Sequence, residues 1–364
     1  MRGEKQSQVS VTCLIDVETM IPREHPIRTI KRLLSEVLAR MDRAFDEIYA
    51  ETGRPSIPPE RLLLGKVLMA LYSIRSERQF CERLQYDLLF RWFLDLNPDE
   101  ATFDHSTFSQ NQGRLLRHEV ADRFFAEVVR LAKNRGWVSD QHFSVDATLI
   151  EAWASLKSFK PKAEEGGDRD DGDGNGWADF KGQKRRNDTH ESTTDPEAKL
   201  VRKGDGREAK LAFAGHAAME NRHGLCVLFE VKSAVGSDAE VAVQQMSQLR
   251  RRGIKPRTVG ADRGYWSGKF ISGMRRRAVI PHPAPLAGRS LQGVKVRSRA
   301  HQLSQKCRRK IEEIFGWAKT TGCFRKSRYL GVERTHAAAQ YVVAACNLVR
   351  MARLSLGPPQ MARA

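Results

Sequence analysis

Asp146, Asp262 and Glu312 stand where side chains could do chemistry. Asp146 closes the short apolar run Phe143-Ser144-Val145-Asp146, and Asp262 closes Thr258-Val259-Gly260-Ala261-Asp262. Glu312 lies in the basic segment Arg308-Arg309-Lys310-Ile311-Glu312-Glu313-Ile314-Phe315-Gly316-Trp317-Ala318-Lys319. A carboxylate within or at the end of an apolar strand is costly unless it is paired or holds a metal. Either Asp taken alone also suits a turn or a helix cap. Together, two carboxylates on strand ends and one on a helix form a set of hard oxygen donors, which suits magnesium and needs no His or Cys. Two such ions ~4 Å apart can activate an attacking oxygen and neutralise a leaving one at a phosphodiester.

Helical geometry selects the third acid. At about 100° per residue, Arg308, Glu312 and Lys319 fall at about 0°, 40° and 20°, whereas Glu313 falls at about 140°. Glu312 is therefore the candidate ligand, flanked by Arg308 and Lys319 as phosphate grips. The competing reading is a solvated face carrying an i,i+4 Arg–Glu pair. Ile311 and Phe315, near the same face, draw it towards the protein. Arg309 and Lys310, with Arg250-Arg251-Arg252, Lys255, Arg257 and Arg275-Arg276-Arg277, could supply further phosphate contacts or a plain solvated basic surface. Trp266, four residues after Asp262, could stack on an unpaired base or pack at the rim of the core.

The bulk composition agrees with a polyanionic partner. The 364 residues carry 62 Lys plus Arg against 44 Asp plus Glu, a formal charge of +18. No apolar run approaches the ~20 residues of a membrane span, and no apolar stretch follows Met1-Arg2-Gly3-Glu4-Lys5 as a secretory signal would require. Cys13, Cys81, Cys226, Cys307, Cys323 and Cys346 form no CxxC pair. Free thiols in a reducing cytosol account for them more simply than zinc or disulfides.

The elements that must position the three acids fall into two parts. Residues from about Ile27 to Lys133 show helical spacing, with a break at Gly53-Arg54-Pro55-Ser56-Ile57-Pro58-Pro59 and a capping box at Ser76-Glu77-Arg78-Gln79. The helix–turn–helix over Pro59–Tyr86 could read DNA or simply pack, and Leu88–Leu94 reads as core. After Trp137 strands appear: Phe143–Ile150, Leu211–Glu220, Leu225–Ala234, Thr258–Ala261 and Val279–Pro281. Asn221-Arg222-His223-Gly224 is a hairpin loop between the second and third. Helices are expected over Ala239–Arg252, Lys269–Arg276, the Glu312 segment and Thr335–Leu354. Lys160 to about Gly206 is polar, and its Gly166–Gly176 stretch reads as a flexible linker rather than a calcium loop, because no closing Glu is correctly spaced. The pattern is a mixed α/β sheet flanked by helices and preceded by an all-helical domain. The expected divisions are 1–136, 137–355 with a flexible insertion at about 160–206, and a tail at 356–364.

Ser144-Val145-Asp146-Ala147-Thr148-Leu149-Ile150-Glu151-Ala152-Trp153-Ala154-Ser155 resembles the first-aspartate segment of DDE insertion-sequence transposases of the IS-five type, and Ala261-Asp262-Arg263-Gly264-Tyr265 resembles the second. Arg308-x3-Glu312-x6-Lys319 resembles the signature Y-x2-R-x3-E-x6-K. Asn187–His190, Asp195–Ala198 and Gly53–Glu60 look similar to the same group, so that the likeness spans roughly residues 25 to 355. One position departs: Gln305 stands where the signature has Tyr, which bears on a secondary DNA contact and not on the three acids.

The resemblance implies an RNase H-like core, with Asp146, Asp262 and Glu312 as catalytic, metal-holding residues for two Mg2+ ions, or Mn2+. It also implies double-stranded DNA partners (the element's terminal inverted repeats and the target), 3′-OH ends joined to target DNA, and a homodimer on DNA. A cytoplasmic, nucleoid-associated location with no membrane follows from that reading. The rival functions are a metal-dependent nuclease without strand transfer and an inactive DNA-binding remnant.

Overall fold

The computed structural model describes residues 16–48, 56–162, 185–202, 204, 206, 208–290, 294–296 and 298–356. The linker and calcium-loop readings of Gly166–Gly176, the tail and Cys13 lie outside them. The chain opens with helices: α1 Val17–Met20, α2 Pro26–Asp46, α3 Pro59–Leu71, α4 Glu77–Tyr86, α5 Leu88–Phe93, α6 His105–Arg117 and α7 Val120–Asn134. Their starts follow the sequence chemistry. Pro26 and Pro59 occupy first-turn positions, where a missing N–H costs little. Ser76 Oγ accepts from Gln79 N, and Asp87 and Asp104 cap α5 and α6. Amphipathic α2 buries Ile27, Ile30, Leu33, Leu34, Val37, Leu38 and Met41. By contrast, α3 is buried all round from Leu62 to Ala70, Lys66 included. It is a central core helix, whereas α4 leaves Arg78, Gln79, Glu82, Gln85 and Tyr86 exposed.

Then come β1 His142–Glu151, β2 Phe159–Pro161, β3 His190–Ser192, β4 Lys199–Arg202, β5 Ala209–Glu220, β6 Leu225–Ser233, α8 Asp238–Arg251, β7 Thr258–Ala261, α9 Gly268–Arg275, β8 Ile280–Pro283, α10 Arg299–Arg308, α11 Ile311–Lys319 and α12 Val332–Ser355. The main sheet runs β4-β5-β1-β7-β8, with β6 also on β5. β5 is antiparallel to β1, β4 and β6, whereas β7 is parallel to β1 and β8 to β7. A hairpin beside the first strand, with parallel strands added on its other side, is the RNase H-like arrangement. Gly224 closes the β5–β6 hairpin at φ +73°, a conformation cheap only for glycine.

The stretch read as one flexible insertion is partly built into the fold. β2 pairs with β3, and β4 extends the sheet. Asp195 Oδ2 accepts from Gly331 N and Glu197 Oε2 from Val332 N, so these acids cap α12. That helix packs on β6 and on α2, α3 and α7. One hydrophobic cluster therefore runs from Leu33 and Phe124 through Phe143 and Phe213 to Met351. Cys81, Cys226, Cys307, Cys323 and Cys346 are free thiols. Among the described residues, no helix is long and apolar enough to cross a membrane.

Candidate functional site

The register of β1 and β7 brings the two aspartates together. His142 pairs with Thr258, Phe143 with Val259 and Ser144 with Gly260, where the pairing ends; Asp146 and Asp262 follow two residues further along each strand, near enough for Asp262 to raise the Asp146 carboxyl. Neighbouring strands lie about 4.8 Å apart and equivalent positions share a face. Both carboxylates thus reach the same edge, where β7 ends and the chain turns through Arg263–Tyr265. Asp262 Oδ1 accepts from Gly264 N at 2.8 Å, so the cap role is present along with the placement. Asp146 Oδ1 accepts from Ala147 N at 2.8 Å.

α10 lies on β7, with Gly260 making room: a Cβ there would come within 2.9 Å of Ser304 Oγ. At the end of α10, Arg308 Nη1 stands 3.7 Å from Asp146 Oδ2, and both side chains are less than one-fifth exposed. Burial pushes the Asp146 carboxyl up to about 6; Asp262 and Glu312 push the same way, against the Ala147 N–H and Arg308. The Tyr265 phenol is raised too, first by burial and then by Asp146, Asp238 and Asp262. Burial followed by Asp262 raises Asp238. Four acids therefore share one electrostatic neighbourhood. Asp238 lies one residue before the helix expected from Ala239, and opens α8 behind the Ser237 cap, whose Oγ accepts from Glu240 N. No signal in the sequence marked its second setting.

The basic segment is not one helix, as a single continuous wheel requires. α10 ends at Arg308 and α11 starts at Ile311, with Arg309 and Lys310 forming a turn whose backbone stays near helical angles. The break lets α10 sit across β7, β8 and β1 while α11 sits on β1 and α12. Ile311 and Phe315 are buried, and Glu312 is exposed on the first turn of α11. Glu313 points elsewhere, its Oε2 lying 3.2 Å from Arg350 Nη1. Lys319 Nζ donates to Thr148 Oγ1 at 2.6 Å, two residues along β1 from Asp146. Arg309 and Lys310 are exposed.

Trp266 corrects the stacking expectation. It is only 8% exposed, with its Nε1 buried, so its ring packs and offers no face to a base. Exposure instead belongs to Trp153, at 49%, just past the end of β1 with Lys326 Nζ 5.5 Å from its ring centroid. Gln305 has a structural role that the missing Tyr did not suggest. Its Nε2 donates to His282 O at 2.6 Å and Ala261 O at 3.3 Å, tying α10 to β8 and to the residue before Asp262.

The donor set can be tested against a divalent ion. Among the described residues, no three His, Cys, Asp or Glu side chains converge closely enough to hold one in this arrangement. The chemistry of the donors fits nonetheless. A largely buried carboxyl raised to about 6, with two more carboxylates adding to the repulsion, is a charge imbalance that a hard cation relieves.

Comparison with known proteins bears on the same stretch. Residues 15–114 match the Transposase domain (DUF772) and residues 139–348 match the Transposase DDE domain. No curated protein matches the sequence. Among solved structures, the chain is similar to the cryo-EM structure of a piggyBac transposase synaptic complex with hairpin DNA, at 9% identity and a TM-score of 0.43, over 91% of this chain and 76% of that one. It is also similar to the crystal structure of a pre-cleavage Mos1 transpososome, at 10% identity and a TM-score of 0.21, over 84% and 82%. Superpositions this loose add no argument. The DDE match does, because it spans more than half of the chain and contains Asp146, Asp262, Glu312 and the sheet that aligns them: the chain belongs to the transposase DDE family, and its reaction is DNA transposition.

Proposed function

We propose that Asp146, Asp262 and Glu312 are the catalytic carboxylates of an insertion-sequence transposase of the IS-five type. The observation that carries this is the β1–β7 register, which sets Asp146 beside Asp262 with Arg308 3.7 Å from the former. The three acids would hold the divalent ions, Mg2+ in the first place and Mn2+ as a substitute. Bound there, such ions supply activation of the attacking oxygen and neutralisation of the leaving one. Arg308 balances the Asp146 charge and, with Lys319, Arg309 and Lys310, positions the phosphate; keeping it in line is most of what a protein contributes to this transfer. The enzyme cuts at the terminal inverted repeats and joins the 3′-OH ends to target DNA, acting as a homodimer on DNA in the cytoplasm, near the nucleoid. Residues 1–136 contribute DNA-end binding and residues 137–355 catalysis.

Asp146→Asn, Asp262→Asn and Glu312→Gln should each abolish cleavage of DNA carrying the element's ends while leaving duplex binding intact. Full cleavage by any one of them would falsify the assignment. Pre-cut ends with a free 3′-OH separate transposase from nuclease: joined products are expected, and their absence would favour the nuclease.

A further inference from the structure

We propose that Asp238 is a fourth acid of the ion site, raising its affinity for divalent ions from outside the three candidate ligands, and that His216 positions it. This rests on the transposase reading, which assigns neither residue. Asp238 opens α8 behind the Ser237 cap. The helix dipole favours an acid on a first turn and ordinarily holds its pKa down. Asp238 is raised instead, by burial first and then by Asp262. Its surroundings explain the difference. α8 packs on β1, β5 and the Arg263–Tyr265 turn that follows Asp262. Glu240, on the same first turn as Asp238, has its Oε1 3.6 Å from Lys269 Nζ, which sets that turn beside the start of α9. The Tyr265 phenol, raised first by burial, lies in the field of Asp146, Asp238 and Asp262 together.

His216 supplies an independent sign. It pairs with Ala147 on β1, one position from Asp146. Paired positions share a face and successive ones alternate, so His216 and Asp146 stand on opposite faces of the sheet. The His216 face is the one that α8 covers: Glu230, its partner on β6, accepts from Gln248, and the nearby Lys232 donates to Gln244. Asp146 meets Arg308 on the other face. His216 is 4% exposed, and its Nδ1 is buried with no hydrogen-bond partner among the described residues. The acid in front of it is Asp238, whose Oδ1 lies 3.7 Å from Nδ1. That is just beyond hydrogen-bond length, and a small turn of the half-exposed Asp238 carboxylate closes it.

The state of the imidazole suits this role. Burial, with Lys232 acting the same way against Glu230, pulls His216 down to about 4. The ring is therefore neutral at pH 7, with one nitrogen carrying a proton and able to donate. A charged imidazole would cancel the carboxylate beside it, whereas a neutral one orients Asp238 and leaves its charge to act on Asp262. The two faces of the sheet then differ in purpose. Arg308 offsets Asp146 on one, and Asp238 adds negative charge beside Asp262 on the other. Hard cations bind more tightly as the charge of the acids around them grows, and groups outside the ligand set change metal affinity by about 10- to 100-fold.

The test titrates Mn2+ into the full chain without DNA and follows the free ion by electron paramagnetic resonance. Asp238→Asn keeps the side chain's size and removes its charge; it should weaken binding roughly tenfold. His216→Leu should weaken it by a similar factor. His216→Asn, whose amide N–H falls near the position of Nδ1, should restore most of the loss. The double variant His216→Leu with Asp238→Asn should bind no more weakly than Asp238→Asn alone, because one residue acts through the other. Thermal midpoints in EDTA check folding. If His216→Leu does not fold, His216→Phe, which keeps a ring, replaces it, and the half-exposed Asp238→Asn decides the first half by itself. Wild-type affinity in Asp238→Asn, wild-type affinity in a folded His216 variant that lacks the donor, or additive losses in the double variant overturn the proposal. Failure of the transposase reading would show separately: Asp262→Asn should abolish Mn2+ binding, and binding that survives it would mean that the three acids hold no ion.

Discussion

Replacing Asp146 by Asn should make the metal-free protein more stable at neutral pH, although it removes an ion-pair partner. The Asp146 carboxyl is pushed from an ordinary 3.8 to about 6, with burial as the leading cause, and its side chain is 18% exposed. A raised acid disfavours folding wherever it must ionise. The penalty is absent below the ordinary value near pH 4, grows between the two values and is complete above about pH 6. At about 1.4 kcal/mol per tenfold, the full penalty is about 3 kcal/mol. Removing the carboxylate 3.7 Å from Arg308 returns part of that, because it leaves a largely buried guanidinium short of a counter-charge. A net gain of ~1–2 kcal/mol at pH 7.5 is expected, and none at pH 4.

Differential scanning calorimetry in EDTA across pH 4 to 8 measures this directly. For a chain of this length, the gain corresponds to a rise of a few degrees in the midpoint. Added Mg2+ or Mn2+ should raise the midpoint of the wild type and leave that of the variant nearly unchanged, because only the wild type has a penalty for the ion to relieve. An Asn variant destabilised by the same amount at every pH would refute the electrostatic reasoning. It would show that Asp146 is held by its hydrogen bond to Ala147 N and not strained by its neighbours.

Gln305→Ala should lower the turnover number severalfold at unchanged duplex affinity and cost about 1 kcal/mol of stability, since the α10 ties to His282 O and to Ala261 O, which keeps Ala284 N as a donor, are both lost; single-turnover cleavage with parallel binding titrations checks it, and an unchanged rate would mean that α10 is held by packing alone. Gly322→Ala should cost ~1–3 kcal/mol in urea unfolding, because its Cβ would come within 2.5 Å of Val342 Cγ1 and 2.8 Å of the Ala318 carbonyl. Replacing exposed Arg309 and Lys310 by Gln should flatten the log–log salt dependence of duplex binding by about 0.9 for each phosphate that is no longer neutralised; an unchanged slope would place both side chains off the DNA.

Much of the fold was legible because strand ends and caps are local. Thr258–Ala261 has the expected bounds, and the β5–β6 hairpin closes on Gly224. The rest depended on partners distant in sequence. β4 sits in a polar stretch and is a strand only because Ala209–Ala212 accept it as an edge. The break at Arg309-Lys310 leaves no mark in residues of good helix propensity; it goes with a change of partners, α10 reaching β7 and β8 as well as β1 and α11 turning from β1 to α12. Trp266 and Trp153 each follow a strand-like run ending near an Asp or Glu, and only tertiary packing buries one and exposes the other. A single continuous wheel favours Glu312 over Glu313. The two-helix structure keeps the distinction for another reason: Arg350 on α12 takes Glu313.

The parting of β7 from β1 links these features. β7 pairs with β1 only through Ser144, whereas β1 continues to Glu151. The rest of that edge is occupied by α11 and the 325–327 segment. Along it stand three cations: Arg308 at Asp146, Lys319 at Thr148 and Lys326 at Glu151. Steps of two and three residues along a strand are ~7 and ~10 Å, two to three nucleotides of a stacked chain. A protein that only needed to offset Asp146 would require Arg308 alone. Cations spaced along the same strand as far as an exposed Trp153 make sense for an extended anion laid against that edge. The short β7 therefore belongs to the proposed site as much as the acids do: a longer one would take the place along β1 that α11, the 325–327 segment and their cations now hold.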